Sequence, residues 1–185
     1  MIIQAPKKVE GPSPYIYLAG SMTGRDWQED VVSVVSKQCA HKEFTLIRSR
    51  PVKDTSDKPC KHNIKSLTNK SVCKRQEMLD NDRWQYESML GADLCAFWFS
   101  YGTDAPIGIL QLGFHMAKSV LKMNETGYFM SYPSDIIVGC DSSYRNRIIV
   151  TNQMRLMIPK SKLALKLPEF SGQVADWIEK YAEDK

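Results

Sequence analysis

Leu94-Cys95-Ala96-Phe97-Trp98-Phe99 is apolar at all six positions. A strand with one face in water alternates apolar and polar side chains. An unbroken apolar run is what a strand buried on both faces needs, and such strands belong to parallel sheets covered by helices on each side. Working outward, Ser100 to Pro106 reads as a loop, and from Ile107 the apolar residues Ile107, Leu110, Phe114, Ala117 and Leu121 recur at helical spacing. Gln111 falls on the flank of that stripe. On the amino-terminal side, a helix is expected from about Gln76 to Gly91, with Leu79, Tyr86 and Leu90 on one side.

The same alternation extends in both directions. Tyr15 to Ala19 is an apolar run ending at Gly20, and Trp27, Val31, Val34 and Val35 mark an amphipathic helix from Asp26. Phe44 to Ile47 is a second strand. Residues Val52 to Arg75 are polar, lysine-rich and aperiodic, which predicts a long surface loop or insertion; its lysines either meet an acidic partner or keep the loop solvated. After a polar connection at Asn124 to Gly127, Ile136 to Val138 is a further strand, and Ile148 to Val150 could form a short fifth. The last helix is expected to start at a Ser171 cap and to bury Val174, Ile178 and Tyr181. Strands alternating with helices predict an α/β fold, a flavodoxin-like or Rossmann-like doubly wound parallel sheet of about five strands. The expected organisation is a single domain over residues 15–185, preceded by an extension over residues 1–14 and interrupted by the insertion around 52–75.

Composition narrows the function classes. The chain has 185 residues, enough for one hydrophobic core without staples. Its 25 Lys and Arg against 21 acids give +4, too mild a balance for a phosphate-tracking surface, so no specific nucleic acid is predicted. Five cysteines, odd in number and scattered, read as reduced thiols. No apolar stretch approaches the roughly 18 residues of a membrane span, and Met1 to Pro14 resembles neither a signal core nor an Arg-rich presequence. A soluble intracellular protein is expected. Cys60, His62 and Cys73 lack a Cys-x-x-Cys pair and a fourth ligand, so no metal is expected, and no motif calls for a cofactor.

In open α/β sheets ligands sit beyond the carboxyl ends of the strands, where strand order reverses. Two loops qualify. Gly20-Ser21-Met22-Thr23-Gly24 offers glycines for close approach and hydroxyls at a helix start, with Asp26 and Trp27 following. An ordinary strand-to-helix turn with Trp27 in the core would look the same. Tyr101 to Gly108, including Asp104, is the second loop. Trp84, Phe97, Trp98 and Phe99 could stack on a base, although an all-apolar strand is more often core. Tyr144-Arg145-Asn146-Arg147 suits either a phosphate contact or a surface turn.

Taken in order, these segments resemble the nucleoside 2-deoxyribosyltransferase-like family. The resemblance is carried by Tyr17-Leu18-Ala19-Gly20 with Asp26-Trp27, Arg48-Ser49-Arg50-Pro51, Trp84 before Ala92-Asp93, Phe97-Trp98-Phe99, Pro106-Ile107 with Leu112-Gly113, and Val138-Gly139 with Tyr144 and Arg147. It spans roughly Tyr15 to Leu156. It implies a flavodoxin-like fold that exchanges or hydrolyses the base of a deoxynucleoside or its monophosphate, through a Glu on the helix after the third strand. That carboxylate attacks the anomeric carbon through an oxocarbenium-like transition state.

This chain departs from that pattern where the chemistry resides. Gln111-Leu112-Gly113 stands where the resemblance implies Glu-Leu-Gly, Gln85 stands where an acid often follows the tryptophan, and Ile148-Ile149 follow Arg147 where an Asp or Asn is common. A neutral amide hydrogen-bonds but lacks the charge of a carboxylate nucleophile. A substrate-trapping change would alter one residue, whereas three departures point to a remodelled site. Asp93, Asp104 and Glu87 remain as carboxylates that could substitute, Asp93 being more simply a residue at a strand start. The expectation is a divergent, catalytically impaired relative acting as a binding or structural subunit among other protein subunits. It would hold a nucleoside or nucleotide, if any small ligand, near Gly20, Ser21, Met22, Asp26, Trp27, Asp93, Asp104 and Gly108. The alternative is an active deoxyribosyltransferase or N-glycoside hydrolase, natural or seen as a Glu-to-Gln trap.

Overall fold

Five parallel strands form the centre of the computed structural model, which describes residues 1–4, 7–49, 67–126, 136–159 and 161–183. The elements run β1 (Ile2–Gln4), β2 (Tyr15–Gly20), α1 (Trp27–Gln38), β3 (Thr45–Arg48), α2 (Leu67–Leu90), β4 (Leu94–Phe99), α3 (Pro106–Thr126), β5 (Ile136–Cys140), α4 (Arg147–Met157) and α5 (Leu167–Glu183). The sheet order is β1-β3-β2-β4-β5. All six residues of β4 are buried, as their lack of alternation demands. Helices cover both faces. One layer packs Trp27, Val31 and Val35 of α1 with Phe170, Val174 and Ile178 of α5; the other packs Met89 of α2 with Leu112 and Met116 of α3 and Val150 and Met154 of α4. This is the doubly wound, flavodoxin-like α/β architecture.

Strand order reverses at β2, which has β3 on one side and β4 on the other. The register pairs Leu18 with Arg48 and Gly20 with Trp98, so the carboxyl ends of all three strands meet at one edge. That is where ligands gather in such sheets.

Several expectations change. The fifth strand is not Ile148 to Val150, which lies in the first turn of α4; it is Ile2–Gln4, paired with β3 through Ile3 and Ile47. The segment 1–14 therefore contributes a strand to the sheet instead of merely preceding the domain. Trp84 also reaches back to it, its indole Nε1 donating to the Lys7 carbonyl at 2.7 Å. A β-branched run resembles a strand, but only Val150 of the three residues is buried, and Met154 and Ile158 continue its face at intervals of four.

Residues 67–75, expected as part of the loop, are the first turns of α2, and 124–126 close α3. The remainder of the insertion, residues 52–66, and with it Cys60 and His62, lies outside the described residues. α5 begins at Leu167, one turn before Ser171, whose hydroxyl donates back to the Leu167 carbonyl instead of capping the helix. Among the described residues, no helix is long and apolar enough to cross a membrane.

The largest correction concerns which side of α3 faces the sheet. Ile107, Leu110 and Phe114 are 62%, 64% and 47% exposed, while Gln111, Leu112, His115 and Met116 are buried. α2 behaves similarly: Leu79 and Leu90 are exposed, and Gln85, Ser88 and Met89 are buried.

Candidate functional site

Gly20 ends β2 at φ +120°, a conformation L side chains rarely adopt, and a Cβ there would lie 2.1 Å from the Trp98 carbonyl oxygen. Gly108, in the first turn of α3, presses on the same point: its Cβ would be 2.9 Å from both Cα and O of Gly20. These two glycines therefore let α3 approach the end of β2. Their contact fixes the rotation of α3, since a side inward at Gly108 is also inward at positions 111, 112 and 115.

Gln111 is consequently only 4% exposed, and its Nε2 donates to Oε1 of Gln85 at 3.3 Å. Gln85, on the last turns of α2, is 8% exposed. The two positions that the motif order singled out thus meet as a buried pair of neutral amides joining α2 to α3. Each carboxamide offers both a donor and an acceptor, so one can donate to the other without a charge. Ile149, the third departure, is exposed on the first turn of α4.

The hydroxyls and acids expected near a ligand are mostly committed to the protein. Ser21 is fully buried; its amide donates to the Trp98 carbonyl at 2.9 Å, its Oγ lies 2.7 Å from Oγ1 of Thr103 and accepts from the Ser100 amide at 2.8 Å. It ties the β2 loop to the β4 loop. Trp27 is buried with its Nε1 donating to the Ser21 carbonyl at 2.7 Å, the core role and not a stacking platform. Met22 is half-buried, with Sδ 3.3 Å from the Ser49 hydroxyl. Asp26 accepts from the Glu29 amide as the cap of α1 and pairs with Nη2 of Arg48 at 2.8 Å. Sequence reasoning passed over Gln28, whose buried Nε2 donates to the Leu18 carbonyl at 2.9 Å and to Ser49 at 2.8 Å. An apolar-periodicity scan has no signal for such a residue.

Asp93 lies at the other end of the sheet. It precedes β4, accepting from the Tyr15 amide at 2.8 Å and from the Tyr181 hydroxyl at 3.1 Å, so it fastens strand starts to α5 and is removed from the ligand edge. Asp104 does lie on the carboxyl-end loops. Its carbonyl accepts from the Tyr144 hydroxyl at 2.7 Å, while its carboxylate is exposed, 3.9 Å from Nη1 of Arg145. The Tyr144 ring stacks on Phe99 and its burial pushes the phenol pKa up. Glu87 sits on the exposed side of α2. Among the described residues, no three His, Cys, Asp or Glu side chains are placed to hold a metal ion.

A groove of about 650 Å³ opens beyond the carboxyl end of β5, between α4 and the segment at Leu163 and Leu165. Arg145, Arg147 and Arg155 line it, together with the Ser142 and Ser143 turn. The sequence suggested the first two arginines as a phosphate contact or a turn; Arg155 enters only because α4 replaces the expected strand and places it two turns further on the same side. The groove shares no residue with the Gln85–Gln111 pair.

No protein-family model and no curated protein matches the chain.

Proposed function

We propose that this chain is a divergent nucleoside 2-deoxyribosyltransferase-like protein that has lost glycosyl-transfer chemistry and acts as a binding or structural subunit of a larger protein assembly. The observation that carries the reading is the buried Gln111–Gln85 hydrogen bond. Attack on an anomeric carbon needs an oxygen with negative charge and a free approach. Gln111 has neither, because its amide is neutral and is turned toward Gln85. The carboxylates that could substitute lie elsewhere: Asp93 at the opposite sheet end, Glu87 on the outside of α2, and Asp104 beside Arg145 in the loop. Ser21, Asp26 and Trp27 support the same view, since their polar groups hold loops and helix together.

The test has two arms. Deoxynucleosides and deoxynucleoside monophosphates are offered to the protein and to Gln111→Glu, and base release is followed chromatographically. Neither should turn over, because Gln85 is also changed; strong activity in Gln111→Glu alone would indicate a trap or a recent single-residue loss. Isolation of the native protein should then yield stoichiometric partner chains, and recovery as a lone species would contradict the subunit role.

A further inference from the structure

The groove beside α4 combines three guanidinium groups with apolar walls, and the rest of the described protein does little to neutralise it. Arg147 and Arg155 have no carboxylate within ion-pair distance among the described residues, and Arg145 meets only the exposed Asp104 at 3.9 Å. Asp141, the other nearby acid, accepts from the Ser143 amide and stabilises the turn. α4 has no acid in its first turn and no side-chain cap from Asn146. Arg145 and Arg147 thus flank the positive end of a helix dipole, an arrangement that costs stability unless negative charge is supplied from outside.

The geometry selects among anions. Arg147 and Arg155 are eight residues apart on α4, about 12 Å along the axis at 1.5 Å per residue. Four residues of extended chain cover about the same distance. A segment with acidic side chains on one edge therefore matches the row of arginines better than a single phosphate does. Leu163 and Leu165 form the facing wall, and Ile148 stands exposed between the cations. Such surface suits apolar side chains. It does not suit bases, because the one aromatic residue on the groove, Tyr144, is buried, stacked on Phe99 and hydrogen-bonded to Asp104, leaving no exposed ring on which a nucleobase could stack.

We infer that the Arg145, Arg147 and Arg155 groove is the docking site for an extended protein segment in which acidic and apolar residues alternate. The inference rests on the subunit role proposed above and names the chemistry of the partner. The two fail separately, because base release tests the Gln111 position and peptide binding tests the groove.

The experiment uses the full chain and fluorescence anisotropy, with a labelled peptide of alternating Glu and Leu as probe. A Gln-Leu peptide of equal length, a labelled oligouridylate and inorganic pyrophosphate serve as comparisons. The Glu-Leu peptide should bind, weaken with salt, and lose about tenfold or more in affinity with Arg147→Ala/Arg155→Ala, as expected for loss of charge-assisted hydrogen bonds. Lys37→Ala, at the distant end of α1, should leave binding unchanged. Circular dichroism confirms that each variant is folded, and amide exchange on the native chain should show protection by the peptide at residues 142–155. Equal binding of the Gln-Leu peptide, insensitivity to the arginine changes, or absence of peptide binding by the folded chain would overturn the inference. Tighter arginine-dependent binding of oligouridylate or pyrophosphate would overturn it in favour of a nucleic acid or a small anion.

Discussion

The Nε2 of Gln111 on α3 donates to Oε1 of Gln85 on α2 at 3.3 Å, with both side chains buried. A carboxylate at position 111 would present charge here; the amide presents a matched partner and joins two helices over the same face of the sheet. The pair is thus part of the packing between α2 and α3.

That coupling is measurable. Gln111→Leu leaves the Gln85 carboxamide buried without its donor, which should cost about 1–3 kcal/mol. Gln111→Leu/Gln85→Leu removes both polar groups and should recover much of the loss. Urea denaturation of the two singles and the double gives the coupling energy, and strict additivity would mean that the hydrogen bond contributes nothing.

The contact of Gly108 with Gly20 should tolerate no methyl group. A Cβ at 108 falls 2.9 Å from backbone atoms that cannot rotate away, so Gly108→Ala should destabilise by about 1–3 kcal/mol despite the better helix propensity of alanine. Gly172→Ala in α5 is the counterpart: nothing lies within 4 Å of the added Cβ, and a gain of about 0.5–1 kcal/mol is expected. Thermal denaturation of both variants checks the contrast.

These glycines also explain what the sequence revealed and what it hid. β4 was legible because burial on both faces leaves its trace at every position from Leu94 to Phe99. β2, β3 and β5 were legible as shorter apolar runs, and the motif order picked out Gln85 and Gln111 before any geometry placed them together. α3 was misread because it carries apolar residues on both sides. Periodicity favoured Ile107, Leu110 and Phe114, yet the inward side is set by the smallest residue, Gly108, where the helix must touch β2. Backbone approach of that kind leaves no hydrophobic signal. β1 escaped notice because three residues are too few to show alternation, and α4 because β-branched residues occupy its first turn.

Two buried thiols make stability fall in alkaline solution, and the buried Tyr17 and Tyr144 phenols, also raised by burial, act in the same direction at higher pH. Burial pushes both Cys39 and Cys140 from 9.0 to about 11, Arg147 pulling the latter down and Asp141 pushing it up. Between pH 9 and pH 11 the unfolded chain holds fewer protons on these groups than the folded one. Stability should therefore fall as pH rises across that interval, and be unaffected by them below it. Urea denaturation at pH 8 and pH 10 measures the drop, and Cys39→Ala/Cys140→Ala should show a shallower slope. An unchanged slope in that variant would mean that the thiols keep their ordinary acidity.

We propose that no carboxylate chemistry operates at position 111, and base release by the unaltered chain is the measurement that decides it. With deoxynucleosides and deoxynucleoside monophosphates at saturating concentration, release should stay at the rate of buffer alone. Sustained release proportional to protein concentration, absent from a heat-denatured control, would contradict it.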